Sequence, residues 1–93
     1  MDTTVKHDKE YQQFTVALGE EEAELAYATP SDDTLDFTHT YVPVSARGKG
    51  IANKLVETGL QYARDNNMKV IATCTVVASY IERHPEYKSL LKV

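Results

Sequence analysis

VPVSARGKGIANKL, residues 42–55, runs from a β-rich stretch into a strongly amphipathic one. Between the two lie Pro43, a small polar run, and Gly48 and Gly50 one residue apart, flanked by Arg47 and Lys49. A strand, a glycine turn and a helix start make an anion site. The first helical N–H groups have no partner inside the helix, and the macrodipole favours negative charge there. Gly48 and Gly50 let a phosphate approach the backbone without a Cβ in the way. Arg47 and Lys49 add charge and donors.

The periodicity on either side supports this reading. Downstream, Ile51, Ala52, Leu55, Val56, Gly59, Leu60 and Ala63 fall on one helical face, and Lys54, Glu57, Gln61, Arg64 and Asp65 on the other. Asn66-Asn67 should end that helix, because Asn tolerates the left-handed C-terminal position. Upstream, Phe14, Val16 and Leu18 alternate with polar or small residues, as do Ala23, Leu25 and Tyr27. Gly19-Glu20 reads as the turn between these two strands, and residues 29–33, TPSDD, as a chain break. Leu35, Phe37, His39 and Tyr41 alternate in a third strand that Pro43 should end. KVIATC, residues 69–74, reads as a buried fourth strand ending at Cys74. Thr75 is placed to cap a second helix with Val77, Tyr80, Ile81 and His84 on one face, stopped by Pro85. His7 falls in an N-terminal tail by this reading.

The predicted order is β-β-β-α-β-α. Three antiparallel strands are followed by a helical crossover that usually returns in parallel. The fold class is therefore α+β, with a mixed, mainly antiparallel central sheet flanked by helices. A chain of 93 residues fits one compact domain spanning 1–93. The 42% apolar and 26% charged composition is that of a globular protein. No apolar run approaches the roughly 20 residues that cross a bilayer, and the N-terminus has no apolar signal segment. The lone cysteine allows no internal disulfide, which favours the cytoplasm. Fourteen acidic against ten basic residues, without a basic stripe, argue against general nucleic-acid binding. No metal site is expected.

Among phosphate motifs, the P-loop pattern is absent, and a GxGxxG reading fails at Asn53. Arg47-Gly48-Lys49-Gly50-Ile51-Ala52 matches the acetyl-coenzyme A signature Q/R-x-x-G-x-G/A at every fixed position. On that match and its placement, residues 39–87 resemble the small GCN5-related N-acetyltransferases of the YjdJ type. The resemblance implies a reduced version of that fold and acetyl-CoA (coenzyme A) as co-substrate, bound in the V-shaped opening between the third and fourth strands. The pyrophosphate would sit on residues 47–52, with Asn53 within reach in the first helical turn. The pantetheine would pair with backbone near Tyr41, Val42 and Val44, like an added strand.

Acetyl transfer to an amine needs a neutral nucleophile, a route for its proton and a donor to the leaving thiolate. His39, on the strand expected to flank the thioester, is the base candidate, since imidazole takes up protons near neutral pH. Its alternative is a packed core histidine. Cys74 precedes a helix N-terminus, where a negative sulfur is favoured and could carry the acetyl group. Its alternative is a small buried residue. Small relatives often have a cysteine there, whereas direct attack is usual in the wider superfamily. Tyr80 corresponds to a helix tyrosine that often donates to the coenzyme sulfur in that superfamily, and could equally be packing. The leading expectation is an N-acetyltransferase acting on a primary amine. The runner-up is a non-catalytic acyl-CoA-binding or interaction module, and a small nucleotide-binding scaffold ranks third. The acidic segments at residues 20–24 and 32–33, if they lie near the opening, suit a lysine side chain or a polyamine as acceptor.

Overall fold

The computed structural model describes residues 4–92. Five strands form one sheet in chain order: β1 (Val5–Asp8), β2 (Gln13–Leu18), β3 (Glu21–Ser31), β4 (Thr34–Tyr41) and β5 (Lys69–Ala72). The pairs β1–β2, β2–β3 and β3–β4 are antiparallel, and β4–β5 is parallel. Helix α1 (Ile51–Asp65) carries the chain from β4 to β5, and α2 (Thr75–Arg83) follows β5. Short 3-10 turns occupy Val44–Ala46 and Pro85–Leu90. This is the mixed, mainly antiparallel sheet flanked by helices that the periodicity calls for, but with five strands where the predicted order β-β-β-α-β-α has four, the additional one being β1.

The apolar stripe of α1 covers the sheet. Ile51, Leu55, Val56, Gly59, Leu60 and Ala63 are all buried. Gly59 sets how closely helix and sheet approach. A Cβ there would lie 3.0 Å from the Phe37 ring and 3.1 Å from Leu25. The helix ends as its two asparagines suggest. Asn67 takes a left-handed φ of 56°. Its N–H bonds the Arg64 carbonyl at 3.2 Å, and the Met68 N–H bonds the Ala63 carbonyl at 2.8 Å. Those two bonds make a Schellman motif, which satisfies carbonyls that the helix end leaves open.

Four local expectations are corrected. His7 is not in a tail but in β1, facing Phe14 across the strand pair. Its ring stacks on Phe14 with centroids 4.2 Å apart, so it packs as an aromatic residue. The break expected at residues 29–33 shrinks to a turn at 32–33, because β3 runs through Pro30 to Ser31. A register irregularity between Ala28 and Ser31 absorbs the proline, which has no N–H to give to a ladder. The fourth predicted strand stops at Ala72, and Cys74, not Thr75, is the N-cap of α2, with no side-chain cap bond. Cys74 lies beyond the end of β5 but is still tied to β4, its N–H bonding the Phe37 carbonyl at 2.8 Å.

The fourth correction matters most for the site. Ala26 pairs with His39, but Tyr27 pairs with Phe37, which leaves Thr38 as an extra residue. Such a bulge reverses which side of the strand each later residue occupies. Thr40 pairs with buried Leu25 and shares its face, toward α1. His39 shares the opposite face with Ala26 and is exposed. The simple alternation of Leu35, Phe37, His39 and Tyr41 therefore holds only for the first two.

Candidate functional site

The loop between β4 and α1 leaves open space in front of an uncapped helix N-terminus. Gly48 and Gly50 have φ of 81° and 78°, a region that side chains other than glycine rarely adopt. No packing constraint accompanies this, since a Cβ at either position would meet no protein atom within 4 Å. The space they leave is open to something from outside the chain. Gly50 is also the N-cap of α1 and supplies no capping side chain. The first intrahelical bond of the turn runs from the Lys54 N–H to the Gly50 carbonyl at 3.1 Å. The Ile51, Ala52 and Asn53 N–H groups precede it and have no acceptor within the helix.

These amides border a cavity of about 210 Å³ lined by Val42 and by residues 46–53 except Lys49. Tyr41, Val44 and Lys49 do not line it. The Arg47 side chain is folded back, with Nε donating to the Val42 carbonyl at 3.0 Å. That bond fixes its guanidinium beside the cavity while leaving its terminal N–H groups available. A second cavity, about 240 Å³, lies between β5, α2 and the last 3-10 turn and is lined by Ala72, Ile81 and Leu91 among others. It has no comparable set of open amides.

Beyond the cavity the sheet opens. The last β4–β5 pair is Phe37 with Ala72, while β4 continues to Tyr41. Across the divergence, Thr40 Oγ1 and Cys74 Sγ are 3.3 Å apart. Cys74 is only 9% exposed, so this contact largely closes the floor of the V. Periodicity had put His39 here. The bulge brings Thr40 instead, and no signal in the sequence marks the extra residue.

Tyr80 is 3% exposed and faces α1. Its hydroxyl donates to Glu57 Oε2 at 3.2 Å, and its ring stacks on His84 with centroids 4.0 Å apart. His84 Nδ1 lies 2.9 Å from the Tyr80 carbonyl, a contact that requires the proton on Nδ1. Burial, then the nearby Glu57 charge, pushes the Tyr80 phenol up to about 12. It is therefore a neutral hydroxyl throughout the physiological range. Glu57 lies four residues after Asn53, one turn along the same side of α1, and so next to the cavity lining. Sequence reading left Glu57 on the polar face, although its i+4 spacing from Asn53 is visible there.

The structure thus brings Thr40 and Cys74 together at the floor and Tyr80 against Glu57 between the helices, and turns His39 to the other face. The acidic segments separate too. The Gly19–Glu20 turn is at the same end of the sheet as Tyr41, because Glu24 pairs with Tyr41. Residues 32–33 are at the far end of β4, roughly 23 Å away at the usual strand rise. There Asp33 accepts hydrogen bonds from Ser31 and Thr34 at 2.9 and 3.0 Å, which hold its carboxyl below its ordinary value with help from Lys92. Among the described residues, no three His, Cys, Asp or Glu side chains converge as a metal site would need, and no helix is long and apolar enough to cross a membrane.

Known proteins share both this sequence and this shape. A family profile described as GCN5-related N-acetyl-transferase matches residues 13–90. Protein NATD1 of Homo sapiens is 34% identical over 83 residues, covering 87% of this chain and 74% of its own length. Protein NATD1 of Xenopus tropicalis is 32% identical over 83 residues, covering 87% and 76%. The NMR solution structure of a GCN5-like protein from Staphylococcus aureus superposes with a TM-score of 0.71 at 23% identity, over 97% of this chain and 88% of that one. The last likeness concerns the fold alone, while the profile spans most of the chain. The protein belongs to the GCN5-related N-acetyltransferases.

Proposed function

We propose that this protein transfers an acetyl group from acetyl-CoA to a primary amine. The observation that carries this reading is the uncapped N-terminus of α1 behind two left-handed glycines, where a Cβ would touch nothing. The coenzyme pyrophosphate would accept from the Ile51, Ala52 and Asn53 amides and from Arg47, with Gly48, Lys49 and Gly50 supplying the turn and its charge. The pantetheine would lie along the β4 edge that β5 leaves free, near Tyr41, Val42 and Val44. Its thioester would then reach the floor formed by Thr40 and Cys74. Tyr80 would act from α2, Cys74 would be the nearest nucleophilic side chain, and His39 would have to act from the other face. The free thiol of Cys74 fits a cytoplasmic setting.

The acceptor we favour is a lysine side chain or a polyamine. Glu22 and Glu24 lie at the sheet end where the V opens, and Glu24 stands opposite Tyr41. Attraction between exposed charges is screened over roughly 10 Å at 0.1 M salt. kcat/KM for cationic amines should therefore fall as salt rises and when Glu22 and Glu24 are both changed to Gln. A rate indifferent to both would return these carboxylates to a solvated surface.

Incubation with acetyl-CoA, with calorimetry for binding and thiol release over an amine panel, tests the main reading. Binding without release from any amine favours the second one, a non-catalytic acyl-CoA-binding module. A specific observation supports that alternative: His39, Cys74 and Tyr80 do not converge, since His39 faces away from the other two. Intact mass separates the roles of Cys74. One added acetyl, lost in Cys74→Ala and formed and consumed at the rate of turnover, identifies a covalent carrier. Retained activity in Cys74→Ala leaves it as floor packing.

A further inference from the structure

We propose that Glu57 is the proton partner of Tyr80, so that the Tyr80–Glu57 pair relays the protons released during acetyl transfer. This rests on the acetyl-transfer reading and adds to it a residue that no motif marks. The geometry is specific. Tyr80 comes from α2 and is nearly fully buried, yet its hydroxyl emerges against a carboxylate on α1 at 3.2 Å. Its ring is clamped by His84, whose Nδ1 bonds back to the Tyr80 carbonyl at 2.9 Å. The ring is thus held in place, and the hydroxyl donates to Glu57 in this structure. Glu57 stands one helical turn from Asn53 at the cavity wall and is itself exposed to water. A nearly buried hydroxyl bonded to an exposed carboxylate is a short proton path to water.

The proton count closes. An ammonium acceptor gives one proton to Tyr80 Oη as Tyr80 passes its own to Glu57, and Glu57 releases it to water. The neutral nitrogen attacks the thioester carbonyl, a C–N bond forms and the C–S bond breaks. The second proton leaves the nitrogen as the amide forms and returns through Tyr80 to the coenzyme thiolate. Overall, an ammonium and an acyl thioester become an amide, a thiol and one solvent proton. Tyr80 would touch the reacting atoms. Glu57 acts through it and is a positioning residue.

Glu57→Gln discriminates this role from simple packing. Gln keeps an oxygen that accepts from the Tyr80 hydroxyl but takes up no proton. The relay expects kcat to fall about 100-fold, at the low end of proton-transfer contributions, with the acetyl-CoA KM and the calorimetric CoA affinity unchanged. Tyr80→Phe should lose a similar factor, and the double variant little more than either single one, because two members of one path fail together. Glu57→Asp, which keeps a carboxylate on a shorter arm, should retain more activity than Glu57→Gln. Unchanged kcat in Glu57→Gln, or a double-variant loss equal to the product of the single losses, overturns the relay alone. A wild-type protein that binds CoA but acetylates no amine overturns the relay together with the acetyl-transfer reading.

Discussion

The two ends of α1 are built in opposite ways. At its N-terminus the cap is a glycine, three amides have no helical acceptor, and a Cβ at Gly48 or Gly50 would meet nothing within 4 Å. At its C-terminus the carbonyls are satisfied by a Schellman motif. The last turns also sit in a ring cluster, with Tyr62 against His7 at 4.5 Å and Phe14 at 5.9 Å. Tyr27 completes it, 5.7 Å from Phe14 and joined to His7 Nε2 through its hydroxyl at 2.6 Å. One helix thus carries an unfilled end and a filled end. Unmet hydrogen-bonding capacity is costly to bury, so it persists where water or a ligand can reach it. Packing supplies stability at the other end. Substitutions should divide accordingly, those at the filled end changing melting and those at the open end changing binding.

The largest effect is expected at the filled end. Phe14 is 1% exposed and contacts three other rings of the cluster together with Phe37. Phe14→Ala should cost about 3–5 kcal/mol of unfolding free energy in urea titration. In a chain of this size that is a large part of the total. If the variant folds at low temperature, its CoA affinity should be unchanged, and a loss of affinity in a folded sample would erase the proposed division.

Gly50→Ala tests the open end. The left-handed φ should cost roughly 1–2 kcal/mol of stability for any side chain at that residue. CoA affinity should fall by at least about tenfold, because the methyl group enters the space the phosphate would use. Gly19→Ala, at a similar φ of 72° in the β2–β3 turn, is the control for strain alone. It should melt earlier and bind CoA normally. Equal affinity losses in both variants would show that binding only follows stability.

His7 gives the contrast a pH dependence. Burial, then the Lys9 charge, lowers its proton affinity, with Asp8 opposing. A folded-state value below 6.5 means that the unfolded chain binds more protons in this range. The His7 contribution is therefore intact above about pH 6.5 and is lost as pH falls through the lower folded value. Urea midpoints should decline from pH 7 to pH 5, and His7→Phe, which keeps a stacked ring, should flatten that decline. An unaltered slope would mean that other groups govern it.

The smallest effect should come from Asn67, which holds a φ of 56° at the end of α1. Asn67→Gly should stabilise by about 0.5 kcal/mol or less, since glycine adopts this conformation freely. CoA binding should not respond at all.

Much of this architecture was legible in the sequence, for identifiable reasons. The α1 stripe repeats over four turns, and the glycine loop at its start is a local pattern, so both could be read directly. Strand β1 could not. Its core-facing positions are Val5 and His7, and a histidine counts as apolar only once Phe14 lies under it. Cys74 at the head of α2 was visible as a position, but its contact with Thr40 was not, since the two are 34 residues apart in the chain. Periodicity named His39 for the site because it assumes an unbroken alternation, and the Thr38 bulge breaks it. The Tyr80–Glu57 bond depends on how two helices rotate against each other, which no single segment encodes.

The extra residue in β4 has a meaning for how this chemistry could change over time. Residues before Thr38 and those after it read the sheet in opposite phase. Removing Thr38 would keep the present neighbours, because Phe37, His39 and Thr40 would then alternate without interruption and Thr40 would still pair with Leu25. If the same residues paired without the bulge, His39 would stand opposite Leu25 beside Cys74, and a thiol facing a hydroxyl would face an imidazole with no residue identity changed. The character of the crevice is therefore held by strand phase, and a shift of register past Thr38 changes the nucleophile environment more than the loss of Thr38 does.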